Sequence, residues 1–242
     1  MVDYSEDYLL DKRVKVFQPI DGYRASSDAV LLAAAAHNIK KGNSILDVGS
    51  GTGAISLCLA DCFNEIVDKI VGLEIQPELA ELADLSAKEN NFDKLTYINS
   101  DIFTRPLPFC SFDHVFSNPP YFESQMPTSP KKGKATAHTF GDTGLEKWID
   151  FCIKMMKPQG YFYMINRAEA LSDILNIIGN RLGEIQIYPL YSKEGQKAKR
   201  IIIRAKKDSK APLVIAPPLI IHSADGSYTN EAEAILRGGK GL

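Results

Sequence analysis

Ser44-Ile45-Leu46-Asp47-Val48-Gly49-Ser50-Gly51-Thr52-Gly53-Ala54 carries a short β-rich run through three glycines into the apolar stretch Ala54–Phe63, which has the length of a helix. Glycines at such a junction let the backbone turn sharply and approach a ligand closely. Outward from this stretch the strand-then-helix order recurs. Ile70–Ile75 predicts a strand, and Pro77 suits the first turn of a helix reaching about Asn90. Leu95–Asn99 and His114–Ser117 predict two further strands, and Leu145–Met156 a helix that ends before Pro158. Tyr161–Ile165 reads as a strand, Ala168–Leu182 as a helix, and Glu184–Leu190 with Ile201–Arg204 as a hairpin. Upstream, Ser26-Ser27-Asp28 offers caps for an alanine-rich helix over Ala29–Ala36. Such alternation implies an α/β fold with a mostly parallel sheet and helices on both faces. Ligands of such sheets bind beyond the carboxyl ends of the strands, near the switch in strand order.

The chain has 242 residues, of which 45% are apolar and 24% charged, ample for one core. No apolar run approaches about 18 residues, so no membrane span is expected. The N-terminal MVDYSEDYLLDKRVKVF has charges throughout and is not a signal peptide. Four cysteines make no disulfide framework, and a reducing, cytoplasmic setting is expected. Cys58 and Cys62, four apart in an apolar helical stretch, are expected to be small buried hydrophobes. No His/Cys/Asp cluster has metal-ligand spacing, so no metal is expected. The net charge of −2 hides an asymmetry. Lys193–Lys210 holds eight basic and two acidic residues, +6, leaving −8 for the remainder. A basic surface on an acidic protein suggests a polyanionic partner, whereas a solvated strand pair near the sheet edge is the plainer alternative. The polar connection from Tyr121 to Gly144 is long for a compact domain and is expected to be functional or mobile.

Gly49-x-Gly51-x-x-Ala54 satisfies a loose dinucleotide fingerprint, so a nicotinamide dehydrogenase is one reading. Asp47 opposes it: a carboxylate at the strand end repels a pyrophosphate but attracts the ammonium and sulfonium of S-adenosylmethionine. Glu74 closes the next strand, where an acidic side chain can accept from both ribose hydroxyls. Asp101 follows the third strand and can accept from an adenine amine. The fourth strand ends in Asn118-Pro119-Pro120-Tyr121. A planar amine is a poor nucleophile because its lone pair is delocalised. Holding both its hydrogens on acceptors makes the nitrogen more electron-rich and aims it. Asn118 supplies a side-chain oxygen and Pro119 a carbonyl, while the two prolines carry no competing N–H. Tyr121 offers a face for stacking.

These residues resemble the motifs of class I S-adenosylmethionine-dependent N-methyltransferases, and more narrowly the bacterial tRNA(Val) adenine-N6 methyltransferase family, which modifies the adenine immediately 3′ of the anticodon. The likeness extends to Gln18-Pro19 and Ser27–Ala33, and to Asp225-Gly226-Ser227-Tyr228-Thr229 before a short helix where Asn230 and Glu233 suggest a capping-box-like pair. It implies a Rossmann-like fold with a mostly parallel seven-stranded sheet and an antiparallel C-terminal hairpin. Residues 1–43 would be an extension with the leading helix of the cofactor pocket, packed as one unit with a methyltransferase domain over 44–242, as a monomer. S-adenosyl-L-methionine would be held by Asp28, Asp47, Gly49, Ser50, Gly51, Thr52, Gly53, Glu74, Ile75, Asp101, Ile102 and Asn118. Catalysis would fall to Asn118, Pro119, Pro120 and Tyr121. RNA, foremost tRNA, would be gripped through Tyr121, Lys131, Lys132, Lys134, Lys197, Lys199 and Arg200. Glutamine methyltransferases of release factors carry an added helical domain, adenine DNA methyltransferases a target-recognition domain, and guanine-N2 rRNA enzymes often a duplicated domain. None fits in 242 residues. A non-catalytic RNA-binding module that keeps the fold is the reading of another class.

Overall fold

The computed structural model of the protein describes residues 2–22, 24–104, 106–120 and 144–242. Strands β3 (Ser44–Val48), β4 (Lys69–Glu74), β5 (Leu95–Asn99), β6 (Phe112–Ser117) and β7 (Met156–Arg167) are parallel, in the order β7-β6-β3-β4-β5. Strands β8 (Leu182–Lys193) and β9 (Arg200–Lys207) form the expected antiparallel hairpin, with β9 inserted between β7 and β8. The expected seven strands are thus present. Two short strands, β10 (Val214–Ile215) and β11 (Leu219–His222), pair with β8 and bring the sheet to nine. The chain leaves β3 toward β4 and β5 on one side, and β6 begins the other. The switch in order lies between β3 and β6, so a ligand cleft belongs above Val48 and Ser117.

Burial runs unbroken along the inner strands because both faces are covered, and successive residues pack to opposite faces. Ile45, Ile70, Phe116, Tyr163 and Ile202 pack with helices α1 (Ser27–Ala34), α2 (Ala54–Phe63) and α6 (Asn230–Leu236). Leu46, Val48, Val115, Phe162 and Ile203 pack with α4 (Gly144–Met155) and α5 (Leu171–Ile178). Helix α3 (Pro77–Glu89) lies against β4 and β5, with Pro77 in its first turn as expected.

An element the sequence reading did not anticipate is an N-terminal hairpin, β1 (Tyr4–Leu9) with β2 (Val14–Pro19). Its β2 edge rests on α3, where the Lys15 and Phe17 N–H groups donate to Asn90 Oδ1 and Ser86 Oγ at 2.9 Å each. Four other expectations are corrected. The helix expected to reach Leu182 stops at Ile178, because Gly179 turns the chain at φ +53 and Leu182 opens β8. The basic segment is not at the sheet edge: its Ile201-Ile202-Ile203 is buried in an interior strand. Cys58 is buried, but Cys62, one turn later at the end of α2, is exposed. Helix α6 is capped by Thr229, whose Oγ1 accepts from the Ala232 N–H at 3.1 Å, so Asn230 and Glu233 lie inside the first turn and form no capping box.

Candidate active site

Asp47 pairs in register with Gly72 and Phe116, on the middle one of the five parallel strands near its carboxyl end. Its side chain is fully buried and faces α2, where Oδ2 accepts from the Ser56 N–H at 3.2 Å. Burial pushes the carboxyl up to about 7, and the Glu74 charge adds to this, against the lowering effect of the Ser56 bonds. Oδ1 has no partner. Ser50 Oγ and Thr52 Oγ1 are likewise buried without partners, so three of the four such side-chain atoms among the described residues converge on this one turn. Unpaired buried polar atoms are costly and mark a place where a bound group completes the bonding. A cationic ligand suits Asp47.

The turn is shaped by what its glycines admit. Gly49, at φ +72, has the Trp148 ring against it, and a Cβ there would come within 2.8 Å of the indole. Gly53 starts α2 at φ +83, beneath the Tyr97 side chain. Ser56 Oγ donates to Gly53 O at 3.0 Å and lies 3.0 Å from Tyr97 Oη, locking the first turn of the helix. From the neighbouring strand, Glu74 Oε2 accepts from the Gly51 N–H at 2.8 Å and Oε1 from the Gln76 N–H at 2.9 Å. The buried Glu74 carboxylate therefore buttresses the glycine turn itself. Each oxygen keeps a further lone pair for a ligand hydroxyl. Asn99 ties the end of β4 by donating to the Glu74 and Ile75 carbonyls at 2.9 and 3.0 Å. Asp101 Oδ1 accepts from the Phe103 N–H at 2.9 Å, and beside it Ile102 is buried, whereas Ile75 after β4 is exposed.

At the end of β6, Ser117 is the register partner of Val48, so Asn118 and Gly49 leave the sheet side by side. Asn118 is half-buried, Pro119 buried and Pro120 exposed. Tyr121, Lys131, Lys132 and Lys134 lie outside the described residues. Asp28, in the first turn of α1, holds Arg200 Nε at 3.1 Å. That pair stands at the carboxyl end of β7, because Arg200 is in register with Arg167. Lys197 and Lys199 are exposed on the turn just before Arg200. The basic segment therefore splits. Lys206 and Lys207 lie at the opposite end, where Lys207 Nζ donates to the Ile153 and Met156 carbonyls and caps the C-terminus of α4. The structure thus brings together Asp47–Gly53, Glu74, Asp101 and Asn118 along one rim, with Lys197, Lys199 and Arg200 farther along it. Sequence reasoning did not single out Trp148, Tyr97, Ser117 or Ser56. Only Trp148 carried a signal, as the chain's sole tryptophan.

The fold and this site define a class I S-adenosyl-L-methionine-dependent methyltransferase. The family model described as a methyltransferase domain matches residues 39–205, and the chain belongs to that family. Among relatives, a Porphyromonas gingivalis protein named tRNA1(Val) (adenine(37)-N6)-methyltransferase is 30% identical over 91% of this chain and 89% of its own. One of the same name from Actinobacillus pleuropneumoniae is 31% identical over 88% and 89%. A solved structure from Agrobacterium tumefaciens, described as a predicted O-methyltransferase, superposes with a TM-score of 0.73 at 25% identity over 89% of this chain and 98% of that one. No helix among the described residues is long and apolar enough to cross a membrane, and no three His, Cys, Asp or Glu side chains there are grouped to hold a metal ion.

Proposed function

We propose that the protein transfers a methyl group to the exocyclic N6 of an adenine in tRNA near the anticodon. The observation that carries this is the side-by-side exit of Asn118-Pro119-Pro120 and the Gly49 turn from adjacent strands. The names of the relatives support the same substrate. When bound, S-adenosyl-L-methionine supplies an electrophilic methyl carbon on a sulfonium. Asp47 would offer the ligand's cationic groups a negative charge, and its orphaned Oδ1 would accept from the ammonium. Glu74 would accept from ribose hydroxyls while holding Gly51, and Ile75, Ile102 and Asp101 would hold the cofactor's adenine. Asn118 Oδ1 and the Pro119 carbonyl accept the two hydrogens of the target amine, so its nitrogen is aimed and its lone pair released for attack. The work is positioning and electrostatics, with no strong base required. Tyr121 stacks on the target ring, and Lys197 and Lys199 meet phosphates.

The test offers the purified protein labelled cofactor with total RNA and, separately, with total soluble protein. Label in RNA supports the proposal. Label confined to protein would point to a glutamine-type acceptor and refute it. Cofactor binding without any transfer would favour a binding module.

A further inference from the structure

The catalytic Asn118 is not held by its own side chain: among the described residues none hydrogen-bonds its amide. What fixes it is the residue before it. Ser117 is fully buried, and its Oγ donates to the Val48 carbonyl at 2.9 Å and accepts from Trp148 Nε1 at 2.8 Å. Val48 is the last residue before the glycine turn, and the Trp148 ring lies against Gly49 itself. One indole therefore touches the cofactor turn with its ring edge and the base of the acceptor residue with its N–H. Helix α4, which carries Trp148, buries Ile149, Cys152, Ile153 and Met155 against the sheet, so the indole has a rigid mount. A buried tryptophan N–H needs a partner, and here the partner is the residue whose placement decides where Asn118 points.

We infer that Trp148 and Ser117 are positioning residues that hold Asn118 in register with the cofactor turn. They touch neither substrate nor reacting atoms. They act by keeping the ends of β3 and β6 at a fixed offset, on which the alignment of amine and methyl carbon depends. A misplacement of about 1 Å there can cost on the order of a hundredfold in rate. The inference rests on methyl transfer at Asn118, as proposed above.

The experiment uses the full chain with total tRNA. Trp148→Phe removes the N–H together with the indole edge that lies against Gly49, and Ser117→Ala removes the hydroxyl. Each variant should lower kcat about tenfold or more, with cofactor Kd within about threefold of wild type and KM for tRNA unchanged. The double variant should be slower by less than the product of the two single losses, because the Trp148–Ser117 bond is lost in both. An unchanged kcat in Trp148→Phe overturns the inference. So does a loss of cofactor affinity and thermal midpoint equal to the loss of kcat, which is the signature of a merely structural role. If Ser117→Ala fails to fold, Trp148→Phe alone decides. Trp148 being the sole tryptophan, its emission in the wild type should change on titration with S-adenosyl-L-methionine; a flat titration with the cofactor bound also overturns the link to the turn. A wild type that shows this emission change yet methylates no RNA sinks the substrate proposal and not the coupling.

Discussion

Replacing Asp47 with Asn should stabilise the cofactor-free protein and weaken its grip on the cofactor. The carboxyl is fully buried, holds one N–H and leaves Oδ1 without a partner, and burial raises it from 3.8 to about 7. That difference corresponds to about 4 kcal/mol of preference for the neutral form, a ceiling that local relaxation reduces. The sign follows from linkage. Between about pH 4 and pH 7 the folded state binds a proton that the unfolded chain does not, so the contribution is complete below about pH 4. It is lost as pH rises through 7. Asn mimics the neutral form at every pH. Urea unfolding of the two apo proteins should give similar stabilities near pH 4. A gap in favour of Asp47→Asn should then open toward pH 8, up to about 4 kcal/mol less what the Asn amide loses with its own N–H unpaired. Cofactor binding runs the other way. Only the carboxylate attracts the cationic ligand, so wild-type affinity should fall as pH drops below about 7, approaching tenfold per pH unit. Binding at pH 6 should release a proton, visible as buffer-dependent heats in calorimetry. A wild-type affinity flat from pH 5.5 to 8.5, or an Asn variant less stable than wild type at pH 8, would refute the reasoning.

Asn118→Ala should slow methyl transfer about 10²–10³-fold with cofactor affinity nearly intact, measured by single-turnover labelling and calorimetry; normal turnover would remove Asn118 from catalysis. Glu74→Ala should weaken the cofactor about ten- to a hundredfold and also lower the thermal midpoint, because Gly51 and Gln76 lose the acceptor for their N–H groups. Unchanged affinity with slower chemistry would contradict that role. Lys197→Ala with Lys199→Ala should weaken tRNA binding and flatten its salt dependence by up to about 0.7 per lost phosphate contact, whereas Lys206→Ala at the far end of β9 should leave the slope alone. Equal slopes for all three proteins would move the grip elsewhere.

The centre of this molecule was readable because its chemistry restricts residue choice. Asp47 through Gly53 needs positive φ and close approach, so glycines announce it. In the proposed function Asn118-Pro119-Pro120 serves as acceptors without donors, and prolines are the residues that announce such a role. The N-terminal hairpin was unreadable for the opposite reason. Its turn uses Leu10, Asp11 and Lys12 at positive φ with no glycine, and in its Tyr4–Leu9 strand exposed and half-buried residues alternate without one fully buried. Ile201-Ile202-Ile203 looked like one half of an edge hairpin, yet its unbroken apolar run is what a strand covered on both faces requires. Trp148 and Tyr97 escaped notice because what they do depends on contacts made across the fold, with Ser117 and with the glycines. No local spacing encodes that.

If the target is adenine N6 in tRNA, nucleoside identification reveals it. Purified protein, unmodified tRNA and methyl-labelled S-adenosyl-L-methionine are incubated, and the RNA is digested to nucleosides and resolved by mass spectrometry. N6-methyladenosine should be the one labelled product, absent with Asn118→Ala. Labelled N2-methylguanosine, or tRNA that stays unlabelled while the protein binds its cofactor, would contradict it.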